Sequence, residues 1–144
     1  MINIAHAKQL VRQLLLGTST VAAIAGDHVY GNHPQDPDAS NIPMPCVIMD
    51  VQGGGSNYCG GIQNLGMDLY AYSRTSQDDA DALYQAVYAA LHAARLVSTV
   101  TGTGGAKVNP QAGGAREVAR PVNGWNEAIS AWYALGKWSI ITAG

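Results

Sequence analysis

Asp78, Asp79 and Asp81, three aspartates in four positions, are the densest set of side chains in this sequence that could do chemistry. Carboxylates so close together can bind a divalent cation or divide an acid and a base role between them. Either use requires them to converge. They follow "YAYSRTSQ", and Ser76 stands three residues before Asp79, which is capping-box spacing in its aspartate form. On a helix that starts there, residues 78, 79 and 81 fan out around the first turn, at the positive end of the dipole. Each carboxylate contributes a few tenths to about 1 kcal/mol in that position. The spacing therefore predicts a helix start, with an ion site or pairing with a neighbouring subunit as the alternatives.

The remaining candidates carry less. His6, His28, His33 and His92 show neither H-x-x-x-H nor H-E-x-x-H spacing, so no zinc site is expected. Cys46 and Cys59 form no C-x-x-C pair and are read as free thiols, Cys46 as a buried one at a strand start. The serine in "GGGSNYCGG" lacks the strand-to-helix elbow of a hydrolase nucleophile. "GTGGAKV" lacks the G-K-S/T ending of a phosphate loop. No basic stripe interleaved with aromatics predicts nucleic-acid binding. Neither an enzyme nor a cofactor emerges from the residues.

The aspartates sit between a strand and a helix. "IQNLGMDLYAYS" (62–73) alternates, with Met67, Leu69 and Ala71 on one face and Asp68, Tyr70 and Tyr72 on the other. From 76 to 94, Ala80, Leu83, Val87, Ala90, Leu91 and Ala94 recur at helical intervals. Upstream, residues 3–16 form an amphipathic helix stopped by Gly17, and "TVAAIAG" a second short one ended by Gly26. Residues 27–45, with four prolines, read as a long loop. "CVIMDVQ" (46–52) is a strand and 53–61 a flexible hairpin tip containing Gly54 and Gly55. A second glycine-rich excursion, 98–115, contains Gly104 and Gly105. "REVARPVN" then reads as a short strand and 128–141 as a long final one. In that last strand Trp132, Ala134, Trp138 and Ile140 share one face, and Tyr133, Leu135 and Ile141 the other.

These elements predict one α+β domain over residues 1–144, an antiparallel sheet of about four strands with helices packed on one face. The second sheet face should then be polar, yet it carries aromatics. It is expected to be covered by a loop or by another subunit.

Composition agrees. Charged residues are 12% of the chain against about 25% in an ordinary soluble domain. Before residue 95, three cations face eight aspartates; after it, five cations face two glutamates. The halves are −5 and +3, an asymmetry suited to head-to-tail contact between copies. Lys8 and Arg12 ahead of "LLLGTSTVAAIAG" imitate a secretory leader, but Gly17 to Thr20 interrupt the apolar run. No run approaches the ~20 apolar residues of a membrane span, and no membrane partner is expected.

The order "VAAIAGDHVYGNHP", "PMPCVIMDV", "LGMDLYAYSRTSQDDADALYQAVYAALHAARL" resembles the tail-terminator, or tail-completion, proteins of long-tailed bacteriophages. The likeness covers about residues 10–96. It implies a structural virion protein without enzymatic activity, assembled in the host cytoplasm and carried in the tail. Such a protein forms a homo-oligomeric, six-fold ring at the head-proximal end of the tail tube, halts tube polymerisation and offers a surface to the head or neck. The implied partners are the tail tube protein and a head or neck connector, with DNA passing through the ring and no sequence-specific nucleic-acid binding. The residues expected at its interfaces are Tyr70, Tyr72, Trp132 and Trp138, with Gly54, Gly55, Gly104 and Gly105 in loops that order on docking. A head-to-tail connector or neck ring is the alternative of the same class. A small metal- or nucleotide-binding enzyme is the alternative from another.

Overall fold

The computed structural model describes residues 4–31, 42–56, 62–92 and 114–143. Helix α1 (Ile4–Leu16) and helix α2 (Ser19–Ala25) lead into strand β1 (Val29–Tyr30), then β2 (Cys46–Ser56) and β3 (Ile62–Ser73), helix α3 (Gln77–Leu91), and β4 (Gly114–Asn126) and β5 (Ala131–Ala143). The strands form one sheet in the order β1-β2-β3-β5-β4. All pairings are antiparallel except β1 with β2, which is parallel.

The α+β class holds, but the expectation of about four antiparallel strands is corrected: five strands lie among the described residues, and the sheet is mixed. The extra strand comes from the segment read as loop. Val29 and Tyr30 pair with Val47 and Ile48, and two residues are too few to show a period of two. Arg12 fastens this strand to α1, its Nε donating to the Val29 carbonyl at 3.0 Å.

The last strand, expected from residue 128, begins at Ala131, its first three expected residues forming the turn after β4, and two other boundaries move. β2 runs on through Gly53–Ser56, past a register shift after Val51, so that Gly54 and Gly55 pair with Leu65 and Asn64 instead of lying in a hairpin tip. β4 extends from Gly114 to Asn126, with register shifts on both sides of Ala119. The second of those shifts spans Pro121, which has no N–H to donate and is tolerated because β4 is an edge strand. Gly104, Gly105 and residues 57–61 lie outside the described residues.

Helix α3 begins as its sequence predicts: the Ser76 side chain accepts from the Asp79 amide at 3.1 Å. Its buried residues, among them Leu83, Tyr84, Val87 and Leu91, pack on Val47, Met49, Met67, Leu69, Trp138 and Ile140 of the sheet, with Val11, Leu15 and Val21 from the first two helices closing the same core. Packing is close at Gly136. A β-carbon there would collide with the Tyr84 hydroxyl and ring, so the tyrosine occupies the space a side chain would need. Beyond that glycine, the Tyr84 hydroxyl donates to the Glu117 carboxylate on β4 and ties the edge strand to α3.

Candidate functional site

The first candidate, the aspartate triplet, resolves into local structure. Asp78 and Asp79 are exposed in the first turn of α3. Asp81 accepts from Gln77 Nε2 at 3.0 Å and from Asn123 Nδ2 at 2.8 Å, the latter a bond between α3 and β4. Among the described residues no three His, Cys, Asp or Glu side chains are grouped to hold a metal ion. His28 contacts the Pro45 carbonyl at 3.3 Å and stacks beside Tyr30. His92 ends α3 and stacks on Tyr88. The Cys46 thiol is buried against Met44 Sδ, and burial pushes its pKa up to about 12, leaving it an unreactive thiol at neutral pH.

What the fold does gather is the sheet face turned away from the helices. Residues directly opposite in an antiparallel pair share a face, so the register writes this face as rows across the strands. One row is Cys46–Tyr72–Tyr133–Gly124, the next Ile48–Tyr70–Leu135–Val122, and the third Asp50–Asp68–Lys137–Ala119.

The first row is sealed from within the chain. Ile42 and Ile129 pack with Cys46, Ile48, Tyr72 and Ala131 into a second, smaller core, with Met44, Tyr70 and Tyr133 partly buried against it. Arg74 holds the two covering segments in place, donating from Nη1 to the Ile42 carbonyl at 2.8 Å and from Nη2 to the Ile129 carbonyl at 3.5 Å. Asn126 fixes the β4–β5 turn: its Oδ1 accepts from the Ala128 and Ile129 amides at 3.0 and 3.4 Å, and its Nδ2 donates to the Tyr72 hydroxyl at 3.2 Å. Tyr72 itself is fully buried, and burial first of all raises its pKa. Tyr70 stacks parallel to Tyr72 at 5.7 Å, and Tyr133 meets both edge-on at 6.1 and 6.2 Å.

The second and third rows open progressively. Tyr70 and Leu135 are half-buried and Val122 is 54% exposed. In the third row Asp50 lies directly opposite Asp68, an arrangement that costs stability in a sheet. Lys137 Nζ stands 3.9 Å from Asp68 Oδ1 on the other side. Asp68 is only 7% exposed, and burial raises its pKa, an effect Lys137 opposes and Asp50 reinforces.

The β4 edge exposes further apolar side chains, the Trp125–Trp132 pair among them on the helix side of the sheet. Val118 is 53% exposed, and Trp125 and Trp132, paired across β4 and β5, meet at 4.9 Å with 45% and 37% exposure. Large apolar side chains kept in water on an edge strand mark candidate positions for contact with another chain.

The expected grouping of Tyr70, Tyr72, Trp132 and Trp138 on one face is corrected. Trp138 pairs with Met67 and is buried under α3, beside Tyr88. Trp132 pairs with Ser73 on that same helix side, past the start of α3, and is open to solvent. Tyr70 and Tyr72 lie on the opposite face, where Tyr72 is covered by the chain itself. Sequence reasoning did not single out Arg74, Val118, Val122 or Trp125. The alternation of the last strand had marked Leu135, whereas nothing local marks an arginine that reaches two distant carbonyls.

Comparison with known proteins adds a lineage. The family model described as Tail completion protein gp17 matches residues 9–125. A chain from the virion of a native gene transfer agent particle has a similar fold, with a TM-score of 0.61 and 20% identity, covering 95% of this chain and 94% of that one. No curated protein matches.

Proposed function

Since the chain belongs to the Tail completion protein gp17 family, we propose that it is a structural protein of the virion tail. In this reading it forms a six-fold ring at the head-proximal end of the tail tube, ends tube polymerisation and presents the surface to which the head or neck attaches. The observation that carries this reading is the set of large apolar side chains exposed at the β4 edge on both sides of the sheet, Val122 beside the half-buried Tyr70–Leu135 row and the Trp125–Trp132 pair on the helix side, with Val118 exposed on the same strand. A ring joins unlike surfaces by a repeated rotation that closes. A standard interface buries roughly 1,600 Å² in total, so two neighbours would together cover roughly 1,600 Å² of one subunit's surface. That surface measures 7647 Å². The low charge content suits a chain with so much of its exterior assigned to neighbours.

Tyr70 and Trp132 remain interface candidates in this reading, and Trp125, Val122 and Val118 join them. Tyr72 and Trp138 act from beneath, by holding the sheet on which those side chains stand.

The test is to mix the chain with purified tail tube protein and measure tube length and the mass of the complex. Tubes whose growth stops on addition, each with a six-copy ring at one end in electron micrographs, are the expected result. Tubes that grow unchecked, or rings found only on the head vertex, would overturn it. The second outcome would favour the connector role.

A further inference from the structure

We infer that the bond from Tyr84 to Glu117 sets the register of β4 and keeps that edge of the sheet bulged, so that the subunit meets a neighbour with the side chains of Val118 and Val122 instead of a straight strand. What the neighbour meets rests on the ring reading above; the register does not.

Between Glu117, opposite Trp138, and Val122, opposite Leu135, β4 takes five steps while β5 takes three. The two surplus residues fall one in each slip. The second slip contains Pro121, which has no N–H for a ladder, and needs no further cause. The first contains neither proline nor glycine, and it leaves Val118 without a partner on β5. A bulge disrupts the ladder, so something outside the strand must hold this one.

Tyr84 supplies the hold. Its ring fills the space a side chain at Gly136 would need, and its hydroxyl donates to the Glu117 carboxylate. Burial, and after it the carboxylate, pushes the tyrosine's pKa up, so the hydroxyl stays a donor. If the first part of β4 slid by two residues, both surpluses would vanish and the strand would pair throughout in the register of Val122–Asn126. A slide of two keeps each side chain on its own face, so the hydrophobic pattern does not forbid it. Glu117 would then stand opposite Ile140, about 7 Å farther along β5 and out of reach of a tyrosine packed at Gly136. The bond decides between the two registers.

The other flank is held separately. Asn123 donates to Asp81, three residues before Tyr84 on α3, and Asn126 fixes the turn that follows. Helix α3 therefore grips β4 on both sides of its irregular stretch, where Val118 and Val122 are exposed. Backbone pairing along a straight edge can add strands without limit, whereas a ring has to close.

Paired cysteines read the register. In a chain carrying Cys59→Ser, Arg116→Cys with Ser139→Cys closes a disulfide in the bulged register, and Val118→Cys with Ser139→Cys closes one in the slid register. A disulfide needs β-carbons about 3.5–4.5 Å apart and so selects directly opposite positions over diagonal ones. Each pair is equilibrated in a glutathione buffer, with circular dichroism melts to show that every variant folds. With Tyr84 in place the 116–139 bond should prevail. Tyr84→Phe, which keeps the ring and loses the donor, should move the balance toward the 118–139 bond by about tenfold, the size of one net hydrogen bond. Glu117→Ala should do the same, and Glu117→Gln, which can still accept, should keep the parent balance. Asn123→Ala should leave it unchanged. Without the introduced cysteines, Tyr84→Phe should give open-ended aggregates by mass in solution and cap fewer tubes than the wild type. An unmoved balance, an equal shift in Asn123→Ala, or a moved balance with unchanged assembly overturns the inference and leaves the ring reading standing. If the wild-type chain caps no tube, the ring reading falls and takes with it what is said of the neighbour.

Discussion

The two faces of the sheet are built from the same strands by opposite rules. On the helix side, Met67, Leu69, Trp138 and Ile140 are at most 1% exposed, because α3 with α1 and α2 covers these rows within the chain and leaves only the Trp125–Trp132 pair past the start of α3 open among the large side chains described there. On the other side the cover consists of two short segments around Ile42 and Ile129, held by Arg74, and it thins out across the second row, from the fully buried Ile48 to the exposed Val122. Past that limit the face passes from aromatic to charged, and it meets an edge strand whose valines and tryptophan stand in water. One face makes the subunit stable. The other carries a smaller core and, in the proposed ring, lends its exposed apolar area to a neighbour, so the subunit's stability and its assembly should respond to different substitutions.

The largest separation is expected at Trp138 and Gly136. Trp138→Ala removes a fully buried ring from under α3 and should cost about 3–5 kcal/mol in urea denaturation. Gly136→Val should be comparably harmful, since the Tyr84 ring must leave the space the new side chain takes and lose its bond to Glu117. If either variant unfolds at the wild-type urea midpoint, the helix side does not dominate stability and the contrast between the faces fails.

An intermediate effect is expected at Arg74. Arg74→Ala releases both covering segments of the open face at once, and with the arginine itself exposed the loss should be about 1–2 kcal/mol. Beyond the lower melting temperature, the Cys46 thiol under Ile42 should become accessible to a thiol reagent faster than in the parent chain, while residues beneath α3 keep their hydrogen-exchange protection. A uniform loss of protection on both faces would show that the two cores form a single cooperative unit.

Much of this architecture could be read locally. α1, β3 and the start of α3 fall within a residue or so of where periodicity and the Ser76 cap place them, because those signals need only a few neighbouring residues. The alternation of the last strand was legible as well, with Trp132 and Trp138 on one side and Tyr133 and Leu135 on the other. Which of those sides meets the tyrosines of β3 was not. That depends on the pairing of Met67 with Trp138, and a slip of one residue would exchange the faces without changing either strand's own pattern. The same limit hid the two-residue β1, the continuation of β2 through Gly53–Ser56, and Arg74, whose carbonyl partners lie 32 and 55 residues away. The alternation of β3 puts Tyr70 on the face without helices, but the opposition of Asp50 and Asp68 beside it exists only once β2 and β3 are in register.

That opposition gives the smallest and most specific effect. Asp68 is buried on the sheet beside Asp50, and its pKa is raised above the ordinary 3.8, so the folded chain holds this proton to higher pH than the unfolded chain does. Between 3.8 and the raised value the folded state binds more protons, and stability falls as pH climbs through that window. The contribution has the reverse sign to that of a salt-bridged carboxylate, because Lys137 at 3.9 Å only partly offsets the burial. Asp68→Asn, which cannot ionise, should remove this slope. Measured as the difference in melting temperature between wild type and variant across acid to neutral pH, so that the other carboxylates cancel, the variant should gain on the wild type as pH rises, by less than about 1 kcal/mol as for other cross-strand pairs. A difference that runs the other way would mean that Lys137 dominates and the row is already neutralised within the subunit.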